Sequence, residues 1–368
     1  MSKELKVLHI IDSLGLGGAQ TVVKGIFEYQ KDNKNIFLFA LRKRKILIEV
    51  AHQNVTVFNS EKKYSLKPLF ELRDLIRREK IDILHCHLFR SNVFGIVLKI
   101  IWFPKIKLIV HEHGGILEDG FVYRFFLRYG QRKIDTYIAI SEYIKRSLIK
   151  FAHIKEDKIS LLYNFVDLKK FNRDTISWDI NDERKKYGVN KDDFLVGFVG
   201  RIVERKGWRN FVSVAIEISK DNKNIKFIIA GDGVQKNELL TILEKNKIKN
   251  EIIYLGHVSD IVRLYSILDT IIVPSHWEPM GLTELEAQAM GVPVIASDVD
   301  GLNEVIKDRE NALLFKIGDI KMLKELICEV YRNNQVIEFL KDGMNKNIGK
   351  YNLISYVEKL LNIYKILK

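Results

Sequence analysis

HWEPMGLTELEAQAMGVPVIASD, residues 276–298, sets Glu278 and Glu286 on either side of a Met-Gly-Leu-Thr turn that opens a helix, and closes the helix with Gly-Val-Pro and a β-branched run. Loop, helix, tight stop and buried strand, in that order, are the second half of a β/α unit and require a parallel partner strand. Gly281 is free to adopt positive φ and Thr283 to cap, so the amides of 281–283 are expected to point outward as a helix N-terminus that receives phosphate or hydroxyl oxygens. The two carboxylates cannot share one task. Glu278, on the loop, can accept hydrogen bonds from hydroxyl groups, whereas Glu286, inside the helix, can grip a vicinal diol. An acidic helix start accounts for Glu284, but not for the Glu-Pro dipeptide or the Met-Gly turn.

Working outward, the same alternation fills the chain. KVLHIID, VTVFN, IDILHCHL, KLIVHEHG, DTYIAIS and ISLLYN are short strands separated by amphipathic helical stretches, and FLVGFVGR, KFIIAGDG, EIIYLGHV, TIIVPS, PVIASD and NALLFK form a second series. Between them, DLKKFNRDTISWDINDERKKYG is polar and poor in strand signals. These patterns place an N-terminal domain at 1–170, a linker at 171–190, a second domain at 191–350 and a closing helix at 351–368 that can pack back on the first. Both domains read as α/β and doubly wound, which puts binding loops at the carboxyl ends of the strands.

Composition narrows the setting. The 368 residues carry a net charge of +13, and all of the excess is N-terminal, with 31 Lys and Arg against 18 Asp and Glu in residues 1–170. A basic face of this kind is either solvated surface or a dock for a polyanion such as anionic lipid. Two distant cysteines, Cys86 and Cys328, and a start that runs straight into a strand fit a reducing, cytoplasmic environment. The longest apolar run, Val93 to Phe103, is broken by Lys99 and is well short of the ~20 residues of a spanning helix.

Two further loops bear chemistry. LGLGGAQ, residues 14–20, follows the first strand and lets backbone approach a phosphate or sugar, although its spacing is not that of a dinucleotide fingerprint. GFVGRIVERKG, residues 197–207, sets Arg201 and Lys206 beside glycines at a strand end, a pair suited to a diphosphate.

Taken together, EPMGLTELEAQAMGVPVIAS, GRIVERKG, GGAQ, LLYNFVD and DGLNEVI resemble glycosyltransferase family 4, over a span from Gly17 to about Asn311. The resemblance implies a retaining, nucleotide-sugar-dependent enzyme of the GT-B fold, with two Rossmann-like domains facing each other across a cleft. By the same resemblance, Glu278 contacts the donor sugar, and Met280, Gly281, Leu282 and Thr283 line the sugar and diphosphate. Glu286 holds the ribose, Arg201 and Lys206 meet the diphosphate, and Gly17 and Gly18 close over it. Backbone near His257 and Val258 faces the base, and His113 lies by the reacting sugar. The chain departs from the family pattern at Met280, where Phe is commoner, at Gln20, where an acid is frequent, and at Trp277.

His85, Cys86, His87, His111 and His113 crowd two neighbouring strand ends, but two i, i+2 pairs are not a zinc spacing, so neither metal nor cofactor is expected. His87 and His113 are expected on the acceptor side, with His85 and His111 in or near the core. The expected reaction moves a hexose from a UDP-sugar to a hydroxyl of a lipid-linked or saccharide acceptor in cell-envelope glycan synthesis, at the inner face of a membrane. A sugar-nucleotide epimerase on the same fold, and a basic nucleic-acid-binding protein, are the alternatives.

Overall fold

The computed structural model describes residues 4–44, 48–62, 65–114, 120–246, 248 and 251–368. The chain divides into two compact units, residues 1–165 with 353–368, and residues 166–352.

In the first unit, strands β1 (Val7–Ile11), β2 (Ile36–Ala40), β3 (Val55–Val57), β4 (Ile83–His87), β5 (Lys107–Glu112), β6 (Thr136–Ala139) and β7 (Ile159–Leu161) form one sheet in the order β3-β2-β1-β4-β5-β6-β7. Its strands pair in parallel throughout. Strands covered by helices on both faces must be apolar throughout, and β1, β2 and β4 are buried at every position. Strand β4 satisfies this with the sequence ILHCH, so two imidazoles occupy places where valine or isoleucine is usual.

The helix Phe89–Ile101 lies on this sheet, since a Cβ at Gly95 would come within 2.5 Å of the Cys86 sulfur and 2.8 Å of Leu108. The apolar run that begins at Val93 is therefore largely core, with Ile100 and Ile101 left exposed at its end. Lys99 is buried and paired with Asp135. Arg42, read from sequence as part of a basic surface, is likewise buried, because Asp12 holds its Nε at 2.8 Å and also takes Arg90 at 3.3 Å. Lys43 and Arg44 remain exposed, and Lys45 lies outside the described residues. No described helix is long and apolar enough to cross a membrane.

The closing helix, Leu353–Ile366, belongs to the first unit and buries Tyr356, Leu360 and Tyr364.

In the second unit, β8 (Phe194–Val199), β9 (Ile225–Ala230), β10 (Ile252–Gly256), β11 (Thr270–Val273), β12 (Val294–Ser297) and β13 (Leu313–Phe315) form a parallel sheet in the order β10-β9-β8-β11-β12-β13. Its core joins Val196, Phe198, Phe227 and Ile272 of the sheet to Trp208, Phe211 and Ala215, spaced three and four apart on the helix Trp208–Asp221.

Residues 171–190, polar in sequence, pack as part of this unit. Arg184 is buried, with its guanidinium donating to the Ile267 carbonyl at 2.8 Å and to Asp269 at 2.6 Å, and Trp178 donates to Ser266 at 3.1 Å. In each sheet the connections reverse direction at one point, between β1 and β4 and between β8 and β11, where doubly wound sheets bind ligands.

Candidate active site

At the reversal point of the second sheet, the loop after β8 and the loop after β11 bring cations to a buried carboxylate. Glu278 is only 5% exposed. Its Oε2 accepts from Lys206 at 2.5 Å and from the Ser275 hydroxyl at 3.4 Å, while Arg205 stands 3.6 Å from Oε1. Burial alone would raise the Glu278 pKa, but the charges of Lys206 and Arg205, with Arg201 adding to them, outweigh it and hold the group ionised below its ordinary range. The Arg205 guanidinium also lies over the Trp277 ring, 4.4 Å from its centroid.

Two glycines permit this closeness. Gly207 ends the turn Glu204–Lys206 at φ 64°, and a Cβ there would fall 1.7 Å from the Pro274 carbonyl oxygen. Gly301 has φ 85°, and its Cβ would lie 1.9 Å from the carbonyl oxygen of Glu278 itself. Sequence reading singled out Lys206 and Glu278 but missed Arg205 and Gly301. The Arg-Lys-Gly triplet and the Asp-Gly dipeptide at 300–301 were the available signals.

The helix Thr283–Ala289 follows, with two departures from the expected geometry. Gly281 is not among the residues with positive φ, and Thr283 is the first helical residue, its hydroxyl 3.5 Å from the Val199 carbonyl instead of capping the helix. Glycine at 281 leaves space for the Glu284 carboxylate, since a Cβ would lie 2.3 Å from its Oε2 unless that side chain moved. Glu284, which an acidic helix start had seemed to explain, is fully buried, with only its own backbone, the charge of Lys206 and the backbone of Gly281 to pull its pKa down. Burial, and secondarily the charge of Glu278, push its pKa up to about 7.

Glu286 is half-buried and accepts from the Tyr265 hydroxyl at 3.0 Å; burial raises it to about 7, against the pull of Tyr265 and Lys170. Met280 is buried at 2% exposure, and Leu282 is half-buried. His257 is exposed and Val258 half-buried just past β10.

In the first unit, Gly17 and Gly18 open the helix Gly18–Tyr29 after β1. Gln20, which stands where an acid is frequent in the family pattern, donates to the Ser13 carbonyl at 3.2 Å, a bond no carboxylate could make. Beside this loop is a cavity of about 450 Å³ lined in part by Gly15, Gln20, Lys43 and Arg44.

The histidines of this unit are more numerous at one place than expected. His87 is fully buried, so it cannot line an acceptor site as its sequence position implied. His113 is half-buried, and its Nε2 lies 2.9 Å from Nδ1 of His87. His9, which sequence reading passed over, lies with its Nδ1 3.0 Å from Nε2 of His87, and His85 joins His111 at 3.1 Å. His9, His85 and His87, and likewise His87, His111 and His113, hold nitrogens within 4.8 Å of one another. A cation entering either group would have to displace hydrogen bonds the rings already share.

Two family models match the chain. "Glycosyltransferase Family 4" covers residues 16–170, and "Glycosyl transferases group 1" covers residues 179–352. The UDP-Gal:alpha-D-GlcNAc-diphosphoundecaprenol alpha-1,3-galactosyltransferase of Escherichia coli is 27% identical over 81% of this chain and 79% of its own length. The capsular polysaccharide biosynthesis glycosyltransferase CapM of Staphylococcus aureus is 25% identical over 98% and 97%. Among solved structures, Anabaena HepE in complex with UDP-glucose superposes with a TM-score of 0.86 at 21% identity, covering 98% of this chain and 100% of that one. Its likeness shows the fold. The models that match are those of glycosyltransferases, which leaves the epimerase and nucleic-acid alternatives without support. With two parallel α/β sheets of seven and six strands and both halves matched in order, the chain belongs to the family 4, group 1 glycosyltransferases of the GT-B fold.

Proposed function

We propose that the protein is a retaining hexosyltransferase that takes its sugar from a UDP-sugar and delivers it to a hydroxyl of a lipid-linked saccharide in cell-envelope glycan synthesis. The observation that carries this reading is the buried Glu278 held by Lys206 at 2.5 Å, with Arg205 and Arg201 contributing positive charge, at the carboxyl ends of β8 and β11. More cation than anion gathers there, so the cluster is prepared for further negative charge.

In this mechanism Arg201 and Lys206 stabilise the charge that grows on the departing diphosphate, with the backbone of 280–283 lining it. Glu278 has two tasks: it fixes Lys206 and accepts hydrogen bonds from donor hydroxyls. Glu286, already bonded to Tyr265, holds the ribose. The acceptor hydroxyl attacks on the face from which the diphosphate leaves, and a leaving-phosphate oxygen takes its proton, so no enzyme carboxylate serves as nucleophile. His113 lies beside the reacting sugar. Gly17 and Gly18 close over the phosphates, and backbone near His257 and Val258 meets the base. No step requires a metal ion.

The names of the relatives support the choice of substrates, since the E. coli protein is named for UDP-Gal and a diphosphoundecaprenol acceptor and HepE was solved with UDP-glucose. The cavity beside Lys43 and Arg44, which Glu61 also lines, offers room and two cations against one carboxylate for an acceptor diphosphate. The test is a thermal-shift series of nucleoside diphosphates and their sugars, followed by transfer of radiolabelled sugar to diphosphoundecaprenol-linked acceptors. A ligand at 100 times its Kd adds about 2.7 kcal/mol of stability. The shift is expected for UDP and UDP-hexoses, with turnover that survives EDTA. A larger shift with another nucleotide, or turnover that needs an added cation, overturns the corresponding part.

A further inference from the structure

Histidines 9, 85, 87 and 111 come from three adjacent strands and His113 from just past the end of β5; His9 is level with His85, and Ile11 with His87 and His111. Period-two alternation turns them to one face. There the helix Leu353–Ile366 supplies Tyr364, and the six groups form a continuous series. His113 Nε2 meets His87 Nδ1 at 2.9 Å, His87 Nε2 meets His9 Nδ1 at 3.0 Å, and His9 Nε2 meets the Tyr364 hydroxyl at 3.1 Å. The same hydroxyl meets His85 Nδ1 at 2.6 Å, and His85 Nε2 meets His111 Nδ1 at 3.1 Å. Every ring nitrogen of His9, His85 and His87 is thus engaged. The two chain ends are Nε2 of His111, buried with no hydrogen-bond partner among the described residues, and Nδ1 of half-buried His113.

Proton bookkeeping then allows few arrangements. A neutral imidazole carries one hydrogen, so each ring inside the series donates with one nitrogen and accepts with the other. Once the direction of one link is set, the rest follow. The direction is decided at the far end. If the series ran from His113 toward His111, a buried N–H would be left without an acceptor at His111 Nε2, and orphaned buried N–H groups are the rarer and costlier defect. In the opposite direction a lone pair is left there instead.

We infer that the Tyr364-centred chain runs from His111 to His113, holds all five histidines as Nδ1–H tautomers, and presents His113 to the site as a hydrogen-bond donor that cannot act as a base. His9, His85, His87, His111 and Tyr364 are positioning residues in this arrangement. The neutrality it requires agrees with burial, which lowers His9 and His113 to about 3 and the other three well below their ordinary value. For the reaction, which rests on the proposed placement of His113 beside the sugar, an Nδ1–H donor suits an oxygen gaining negative charge. It leaves the acceptor's proton to the leaving phosphate.

Two measurements separate the chain from the catalytic reading. Long-range ¹H–¹⁵N correlation on protein labelled with ¹⁵N-histidine reports which nitrogen of each ring carries hydrogen, and substitution of the other four of the nine histidines assigns the peaks. Five Nδ1–H rings are expected; Nε2–H at His113, or mixed tautomers among the five, overturns the chain. Kinetically, His113→Asn places an amide N–H near the former Nδ1, whereas His113→Gln places it near Nε2. Asn is expected to keep kcat within about tenfold of wild type while Gln and Ala lose about 10²-fold, the effect of one missing preorganised donor. Equal losses for all three, alongside five Nδ1–H rings, would leave the chain standing and sink the donor role.

Discussion

Both units bury polar side chains under the carboxyl ends of their sheets, and they meet the cost in opposite ways. The histidine cluster of the first unit removes charge: five imidazoles and one phenol stay neutral and satisfy one another over links of 2.6–3.1 Å. The second keeps charge and compensates it: Glu278 remains ionised because Lys206, Arg205 and Arg201 surround it. A neutral network loses little electrostatic energy on burial but can respond only by moving protons along it. A charged cluster costs more to desolvate, and in return it supplies a field to an incoming ligand. The difference accords with the proposed roles, in which the second unit receives negative charge and the first fixes hydrogen-bond direction.

The strongest way to break this comparison is to remove the exposed cation proposed to meet the diphosphate. Arg201 is exposed and contributes least among the three to lowering Glu278. Arg201→Ala is expected to lower kcat/KM by about 10²–10³. Its urea midpoint should stay close to wild type, as for most exposed positions. Turnover like wild type would remove the diphosphate role.

Lys206→Ala comes next, because it strips the nearest counter-ion from a carboxylate that is 5% exposed. Loss of one partner of a buried pair costs about 3–5 kcal/mol, and with Arg205 still 3.6 Å away the lower figure is expected. Adding Glu278→Gln to that variant should restore most of the stability and none of the activity. A double variant no more stable than Lys206→Ala would show that the pair is not the source of the loss.

Much of this was legible in the sequence. The β/α alternation follows from period and punctuation, which are local, and it implies a parallel sheet in each half. Glu278, Lys206 and Arg201 stood out because they flank glycines at strand ends. What escaped was information carried by register. His9 is one histidine in the strand VLHII, and nothing local says that it lies level with His85, 76 positions away. Arg42 looked like surface charge in RKRK because its partner, Asp12, is 30 residues distant. Glu284 looked like a helix-end acid because its burial, beside Gly281, is set by tertiary packing.

The comparison sharpens with pH, since the two units should respond in opposite senses. The clustered histidines have pKa values lowered from 6.5, to about 3 for fully buried His9, so unfolding takes up protons below 6.5 and the first unit loses stability as the pH falls. Glu284 is raised from 4.5 to about 7, so the unfolded chain releases its proton first, and stability present below pH 4.5 is lost as the pH rises through 7. Glu284→Gln removes that loss. Relative to wild type, it should gain about 2–3 kcal/mol at pH 8 and little at pH 4.5, read from urea midpoints across that range. A gain independent of pH would mean the carboxyl is not neutral in the folded protein.

The smallest effect concerns the surface, where residues 1–170 and 171–368 differ in net charge. Residues 1–170 hold the whole excess of +13, while the remainder carries equal numbers of each sign. The proposed lipid-linked acceptor would bring the first unit to an anionic surface, where each Lys or Arg contributes about 1 kcal/mol. Of the cluster at 42–45, Arg42 is spent on Asp12, so exposed Lys43 and Arg44 are the described candidates, and both line the 450 Å³ cavity beside the glycine loop. Substituting both with Ala should weaken binding to phosphatidylglycerol vesicles about tenfold or more at low salt, with the difference shrinking as salt is raised. Arg42→Ala behaves differently, because it uncovers Asp12 inside the unit and is expected to lower stability ahead of vesicle affinity. Cosedimentation unchanged in the Lys43/Arg44 variant would move the acceptor away from this face and favour a soluble saccharide.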